Sequence, residues 1–464
     1  MSRPPRPRPL VRAALAALVT STLACKGDPP PEAKEKVDAA KEKVEEAKEK
    51  VEDVKEEAKE KVEAARGAFY DWTTDKAHDV QCKVMDAMIG THEGVVAPGS
   101  AGAPRWGIPK KRPAKARVRR SWSTLSAADK KRVVDGFIAL KRVTVGSGDP
   151  GSPRANYESV CGAAKQPAYE RNLYDYYVEA HVNAFVSMGT PAEEHHAMSH
   201  MGPNFLPWHR YLLLRIEADL AEVLGDPDFA LPYWDWEDCL RDGDPSACEP
   251  IFDRANLGSP GTCDDDRREV EGYLSDQGFR LHLTTKGNNL FIPSSVVCGE
   301  TRPLHRQVGC NDLARAPADA AAVRAMFQRK VYDAAPYEHC ETDEDVSFRQ
   351  YLEGYSNKST EMTCTAVGCG MHSAGHIYTG GDMFESSGSP NDPLFFLHHA
   401  NVDRLWAGWQ AANRAAGSAT AVDHGNPGYP DHYRGPLFVW SEVKASEMFD
   451  HEALGYRYDA LPAP

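Results

Sequence analysis

Apolar residues recur at helical spacing along most of the chain after residue 118. Ser126-Ala127-Ala128-Asp129 has the pattern of a capped helix start, and Val133, Val134, Phe137 and Ile138 then form one apolar face. Helical patterns return at 170–186, 208–224, 319–332 and 396–412. The second of these buries Leu212, Leu213, Ile216, Leu220 and Leu224 on one side. No run of alternating residues is long enough to build a dominant sheet. The region 238–315 is rich in Gly, Pro, Asp and Cys and predicts long loops tied by disulfides. The expectation is a mainly α domain over 118–464 with little sheet.

The N-terminal part reads differently. Arg3, Arg6, Arg8 and Arg12 precede the short apolar run 13–24, which ends in Thr22-Leu23-Ala24-Cys25. This pattern predicts an export signal over 1–24. Its end resembles a bacterial lipobox, with Thr22 where Leu is usual. It implies either lipidation of Cys25 and a membrane anchor or cleavage elsewhere. From Ala33 to Arg66 there is neither Gly nor Pro. Val37, Val44 and Val51 repeat every seven residues, as do Ala40, Ala47 and Val54, and Glu46–Lys50 and Glu57–Lys61 support a helix. Such a helix would be roughly 50 Å long. Residues 26–66 are therefore a charged spacer, either paired as a coiled coil or solvated alone, and 67–117 are a linker region.

Composition narrows the partners. A formal net charge of −14 excludes nucleic acid as an expected partner. The exception is the basic run Lys110, Lys111, Arg112, Lys115, Arg117, Arg119 and Arg120, which reads as a solvated linker or a helper at a membrane surface. Setting Cys25 aside leaves ten of the eleven cysteines, an even set that in an exported chain predicts up to five disulfides. Cys364 and Cys369 form a plausible local pair. The sequence sets no oligomeric state.

Seventeen histidines are unevenly spread. His181, His200 and His209 form one group, and His372, His376 and the pair His398-His399 form another. A single histidine on an apolar face is usually structural. Here His372 and His376 stand four apart and share a helical face, and the three-histidine arrangement occurs twice. Two groups of three from helical hairpins predict two metals inside an antiparallel four-helix bundle. Imidazole-only coordination suits copper; zinc on three histidines is the chemical competitor. His195 and His196 lie in a polar stretch and read as surface residues. Spacing alone leaves open whether His398 or His399 completes the second group.

Several motifs resemble the tyrosinase family, which includes catechol oxidases and molluscan haemocyanins. They are Asn204-Phe205-Leu206-Pro207-Trp208-His209-Arg210-Tyr211, Pro232-Tyr233-Trp234-Asp235-Trp236, Ser389 through His399, Asp403-Arg404-Leu405-Trp406, and the closing Leu454-Gly455-Tyr456-Arg457-Tyr458-Asp459. The resemblance implies one copper on His181, His200 and His209 and a second on His372, His376 and His399. His398 then becomes a neighbour of the ligands or a residue that touches substrate. Asp403 and Asn391 are expected to orient imidazoles by hydrogen bonding. The implied reaction is oxidation of phenols or catechols to o-quinones with O2. A haemocyanin-like reversible O2 binder is the alternative. Monophenol hydroxylation in the family is thought to need a Glu-held water and an Asn after the first ligand of the second copper. Glu353 is the candidate for the first, whereas Ser373 stands where the Asn would be.

Overall fold

In a computed structural model the described residues are 115–143, 172–186, 199–200, 202–239, 251–264, 268–286, 295–312, 314–334, 347–354, 370–417, 424–437, 440 and 443–464. The signal segment, Cys25, the spacer, most of the linker, His195, His196, Cys364 and Cys369 lie outside them.

Helices dominate the described residues. They are α1 (Ala127–Arg142), α2 (Leu173–Val186), α3 (Phe205–Val223), the short α4 (Tyr273–Asp276), α5 (Ala320–Gln328), α6 (Phe348–Glu353), α7 (Met371–Thr379) and α8 (Leu394–Ala415). Local chemistry sets several starts. The Ser126 hydroxyl accepts from the Asp129 N–H, and the Asp319 carboxylate accepts from the Ala322 N–H. A reciprocal box between Ser347 and Gln350 opens α6, and Gly354 ends it with a φ of 94°.

Packing follows the apolar faces. Helix α1 lies against α2 and α3, α3 lies along α8, and α7 touches both α6 and α8. At the α1–α2–α8 junction Phe137 stacks on Phe396 at 5.8 Å, and Tyr174 meets both edge-on. Tyr174, Phe137 and Phe396 are all fully buried.

The sheets are small. Strand β1 (Arg117–Arg119) pairs in parallel with β4 (Tyr456–Tyr458), and β2 (Leu281–Lys286) pairs antiparallel with β3 (Ser295–Arg302). The second pair falls inside the stretch expected to be loop only. That stretch also holds a disulfide between Cys263 and Cys310.

The β1–β4 pairing corrects the reading of the basic run. Arg119 is fully buried rather than solvated. Its guanidinium pairs with Glu217 on α3 at 2.7 Å and with Asp403 on α8 at 3.2 Å, and Arg117 also reaches Glu217. Asp403 further accepts from Arg210 Nε at 2.5 Å, Tyr456 Oη at 2.7 Å and Tyr458 Oη at 2.5 Å. Burial would raise the Asp403 carboxyl pKa, but Arg210 and Arg119 outweigh it and hold the group ionised. One carboxylate thus ties both ends of the described domain to α3 and α8. Arg210 is the residue after His209, and Asp403 lies one helical turn beyond His399.

Candidate metal centre

The first group takes His181 from α2, His200 from the turn before α3, and His209 from α3. Ring centroids are 4.7 Å apart for His181–His200, 4.8 Å for His200–His209 and 5.6 Å for His181–His209. Each Nδ1 has a fixed oxygen partner. His181 Nδ1 donates to the Ser387 carbonyl at 2.7 Å, and His209 Nδ1 to the Phe205 carbonyl at 2.8 Å. The Ser199 hydroxyl gives its proton to the Ala184 carbonyl, so it accepts from His200 Nδ1 at 2.9 Å.

The second group takes His372 and His376 from one face of α7 and His399 from α8. Their centroids lie 4.5, 4.8 and 5.6 Å apart. His372 Nδ1 donates to the Glu353 carbonyl at 3.0 Å, and His376 Nδ1 to the Met383 carbonyl at 2.8 Å. The two groups abut, for the His209 and His399 rings stack at 4.2 Å with only 9° between their planes.

These tautomers decide what the site can hold. With the proton on Nδ1, each Nε2 presents a lone pair. His372 Nε2 nevertheless sits 2.9 Å from His376 Nε2 and 3.3 Å from His399 Nε2, and His209 Nε2 is buried without a hydrogen bond. Lone pairs gathered this closely are the arrangement that suits a shared cation. Burial keeps the rings neutral, as ligation requires: it pushes His181 down to about 3 and His376 to about 4, with the other four well below the usual imidazole range. The six imidazoles therefore fit two metal ions, with no carboxylate or thiolate among the donors.

His398 belongs to the same cluster but differs in tautomer. The Trp236 indole N–H can only donate, and it lies 3.2 Å from His398 Nδ1. Nδ1 is thus the acceptor, the proton sits on Nε2, and no lone pair remains there. His398 and His399 both lie within the second cluster, and the Trp236 hydrogen bond is what sets His398 apart.

Two expectations about orientation are corrected. Asp403 spends its oxygens on two arginines and two tyrosines, and Asn391 donates to the Leu283 carbonyl. Neither holds an imidazole; main-chain carbonyls and Ser199 do so. Glu353 reaches His372 through its carbonyl, which also accepts from Ser373 Oγ at 2.9 Å. Its carboxylate accepts from Arg349 at 2.8 Å, and Arg349 also pairs with buried Asp333.

The family model for the common central domain of tyrosinase matches residues 171–412, more than half of the chain. The chain belongs to the tyrosinase family. Within this family it is 31% identical over 342 residues to a tyrosinase of Streptomyces glaucescens, covering 74% of this chain and 98% of that protein. It is 28% identical over 351 residues to grixazone synthase of Streptomyces griseus, covering 74% and 99%. A solved polyphenol oxidase variant from Thermothelomyces thermophila aligns with a TM-score of 0.44 at 21% identity, covering 70% of this chain and 76% of that one. The tyrosinase family carries a dicopper centre and oxidises phenols with O2, and this member is a type 3 copper oxidoreductase.

Proposed function

We propose that this tyrosinase-family chain oxidises catechols to o-quinones, with one copper held by His181, His200 and His209 and the other by His372, His376 and His399. The observation that carries the reading is the direct stacking of His209 on His399, with five of the six imidazoles locked through Nδ1. Copper, when bound, supplies the electron transfer between phenol and O2. Each catechol gives up two electrons and two protons, so two turnovers reduce one O2 to two waters. The chain contributes geometry and dryness. Phe205 packs on His209, His372 and His399, and Phe395 packs on His181 and His399, apolar rings that would shield bound copper from water.

Monophenol hydroxylation also needs a base for the phenol proton. Glu353 is the proposed one, but its pairing with Arg349 favours diphenol oxidation as the main activity. We further propose that the chain is exported and anchored through Cys25. The Cys263–Cys310 disulfide supports an oxidising compartment. The test is to load the protein with copper and supply air and catechol. Quinone is expected; tyrosine in place of catechol tests hydroxylation. An oxygen-dependent absorption band without quinone would make the chain an O2 binder instead.

A further inference from the structure

His398 supplies a fourth imidazole where three complete the second site. It is fully buried, and its ring lies between elements that hold the other three. Its centroid is 4.7 Å from His376, 5.2 Å from His372 and 5.1 Å from Trp236. His399 is its neighbour on α8.

The face of α7 that meets this ring is Gly375, between the two ligands of that helix. A methyl group there would stand 2.3 Å from His398 Cε1 and 2.7 Å from its Nδ1. Gly375 sits in regular helix without a positive φ, so no backbone conformation demands glycine. A helix-interior glycine costs about 1 kcal/mol relative to alanine. Here that cost is offset by letting an aromatic ring lie directly on the helix backbone.

On its other side the ring meets Trp236, with centroids 5.1 Å apart. The segment carrying Trp236 is fixed to α8, because the Trp234 N–H donates to the Leu397 carbonyl at 2.9 Å. The Trp236 indole then holds His398 Nδ1. The ring is thus clamped between α7 and a segment pinned to α8.

We propose that His398 is a positioning residue: wedged by Trp236 against Gly375, it sets the separation of α7 and α8 and with it the bite of His372, His376 and His399. It acts on copper only through those three. The inference rests on the metal assignment proposed above, and the experiment separates the two.

The full chain is titrated with copper against a competing chelator, and the melting temperature of the metal-free protein is recorded alongside. The unaltered chain serves as control. Two bound coppers are expected; no uptake overturns the metal assignment itself. Gly375→Ala is expected to weaken the second equivalent by about 10- to 100-fold while the first is unchanged. Adding His398→Asn to Gly375→Ala makes room for the methyl and keeps an acceptor for Trp236. This pair is expected to recover much of the lost affinity, a non-additive result that marks direct coupling. Trp236→Phe keeps an aromatic ring but removes the N–H together with the five-membered ring that carries it, so it breaks the wedge on the Trp236 side. It serves if Gly375→Ala does not fold, and it is expected to weaken the second equivalent by about 10-fold. Unchanged copper affinity in Gly375→Ala and Trp236→Phe, or equal weakening of both equivalents, overturns the proposal. So does complete loss of the second copper in His398→Asn alone, which would make His398 a ligand.

Discussion

The two histidine triads hold equivalent donors but obtain them differently. The first collects one imidazole each from α2, the turn at His200 and α3. Each has its own oxygen anchor, at Ser387, Ser199 and Phe205. The second takes two imidazoles from α7 and one from α8, and His399 Nδ1 is buried with no hydrogen bond. His399 is held instead by ring packing on His209 at 4.2 Å and on Phe395 at 4.1 Å. The first site is therefore fixed residue by residue, whereas the second depends on how two helices stand relative to each other. Both rest on one foundation, because Asp403 binds Arg210 beside His209 and lies one turn from His399.

The largest expected effect comes from removing the stacked pair one member at a time. His209→Ala and His399→Ala should each lower bound copper from two ions to one and end quinone formation. Metal analysis and a catechol assay check both. If either variant kept two coppers, the division into two triads would fail.

Next comes the shared foundation. Asp403→Asn leaves Arg210 buried without its carboxylate and Arg119 with Glu217 alone, which should cost about 3–5 kcal/mol of stability. Denaturant unfolding measures it, and copper binding at both sites should weaken together. A loss confined to one site would mean that the hub serves only that triad.

A smaller effect distinguishes the Glu353 carbonyl from its carboxylate. Glu353→Gln keeps the carbonyl that anchors His372 and loses the charge that pairs with Arg349. Stability should fall by about 1–3 kcal/mol, while both coppers and catechol oxidation persist. Loss of the second copper in this variant would show that the carboxylate orients the site.

The smallest effect near neutral pH concerns the frame outside both triads. Burial, helped by Arg210, pushes the His451 imidazole down to about 3, against an unfolded value near 6.5. Below about 6.5 the unfolded chain gains a proton that the folded chain refuses. Stability from this group is therefore complete above that pH and falls as pH drops toward 3, by at most about 1.4 kcal/mol per unit. His451→Phe should flatten part of the acid limb of a stability–pH curve. An unchanged curve would place the acid sensitivity elsewhere.

Much of the frame was legible because long amphipathic helices leave a 3.6-residue trace. The patterns at 170–186, 208–224 and 396–412 became Leu173–Val186, Phe205–Val223 and Leu394–Ala415. Helix α6 is too short to show a period, and β2 and β3 lie in a stretch dominated by turn-forming residues. The histidines could be listed from sequence, but their orientation could not. Four of the six are held by carbonyl oxygens, which every residue type possesses. Arg117 and Arg119 looked like part of a solvated basic run because Glu217 and Asp403 are remote in the chain. Similarly, the Trp236 N–H that meets His398 comes from more than a hundred residues away, so no local pattern could reveal it.

The most direct test is a crystal structure of the copper-loaded chain with anomalous scattering recorded at the copper edge. The account predicts two peaks, one bonded to Nε2 of His181, His200 and His209 and the other to Nε2 of His372, His376 and His399, with His398 still bonded to Trp236. A single peak, or a copper bonded to His398 in place of His399, would contradict it.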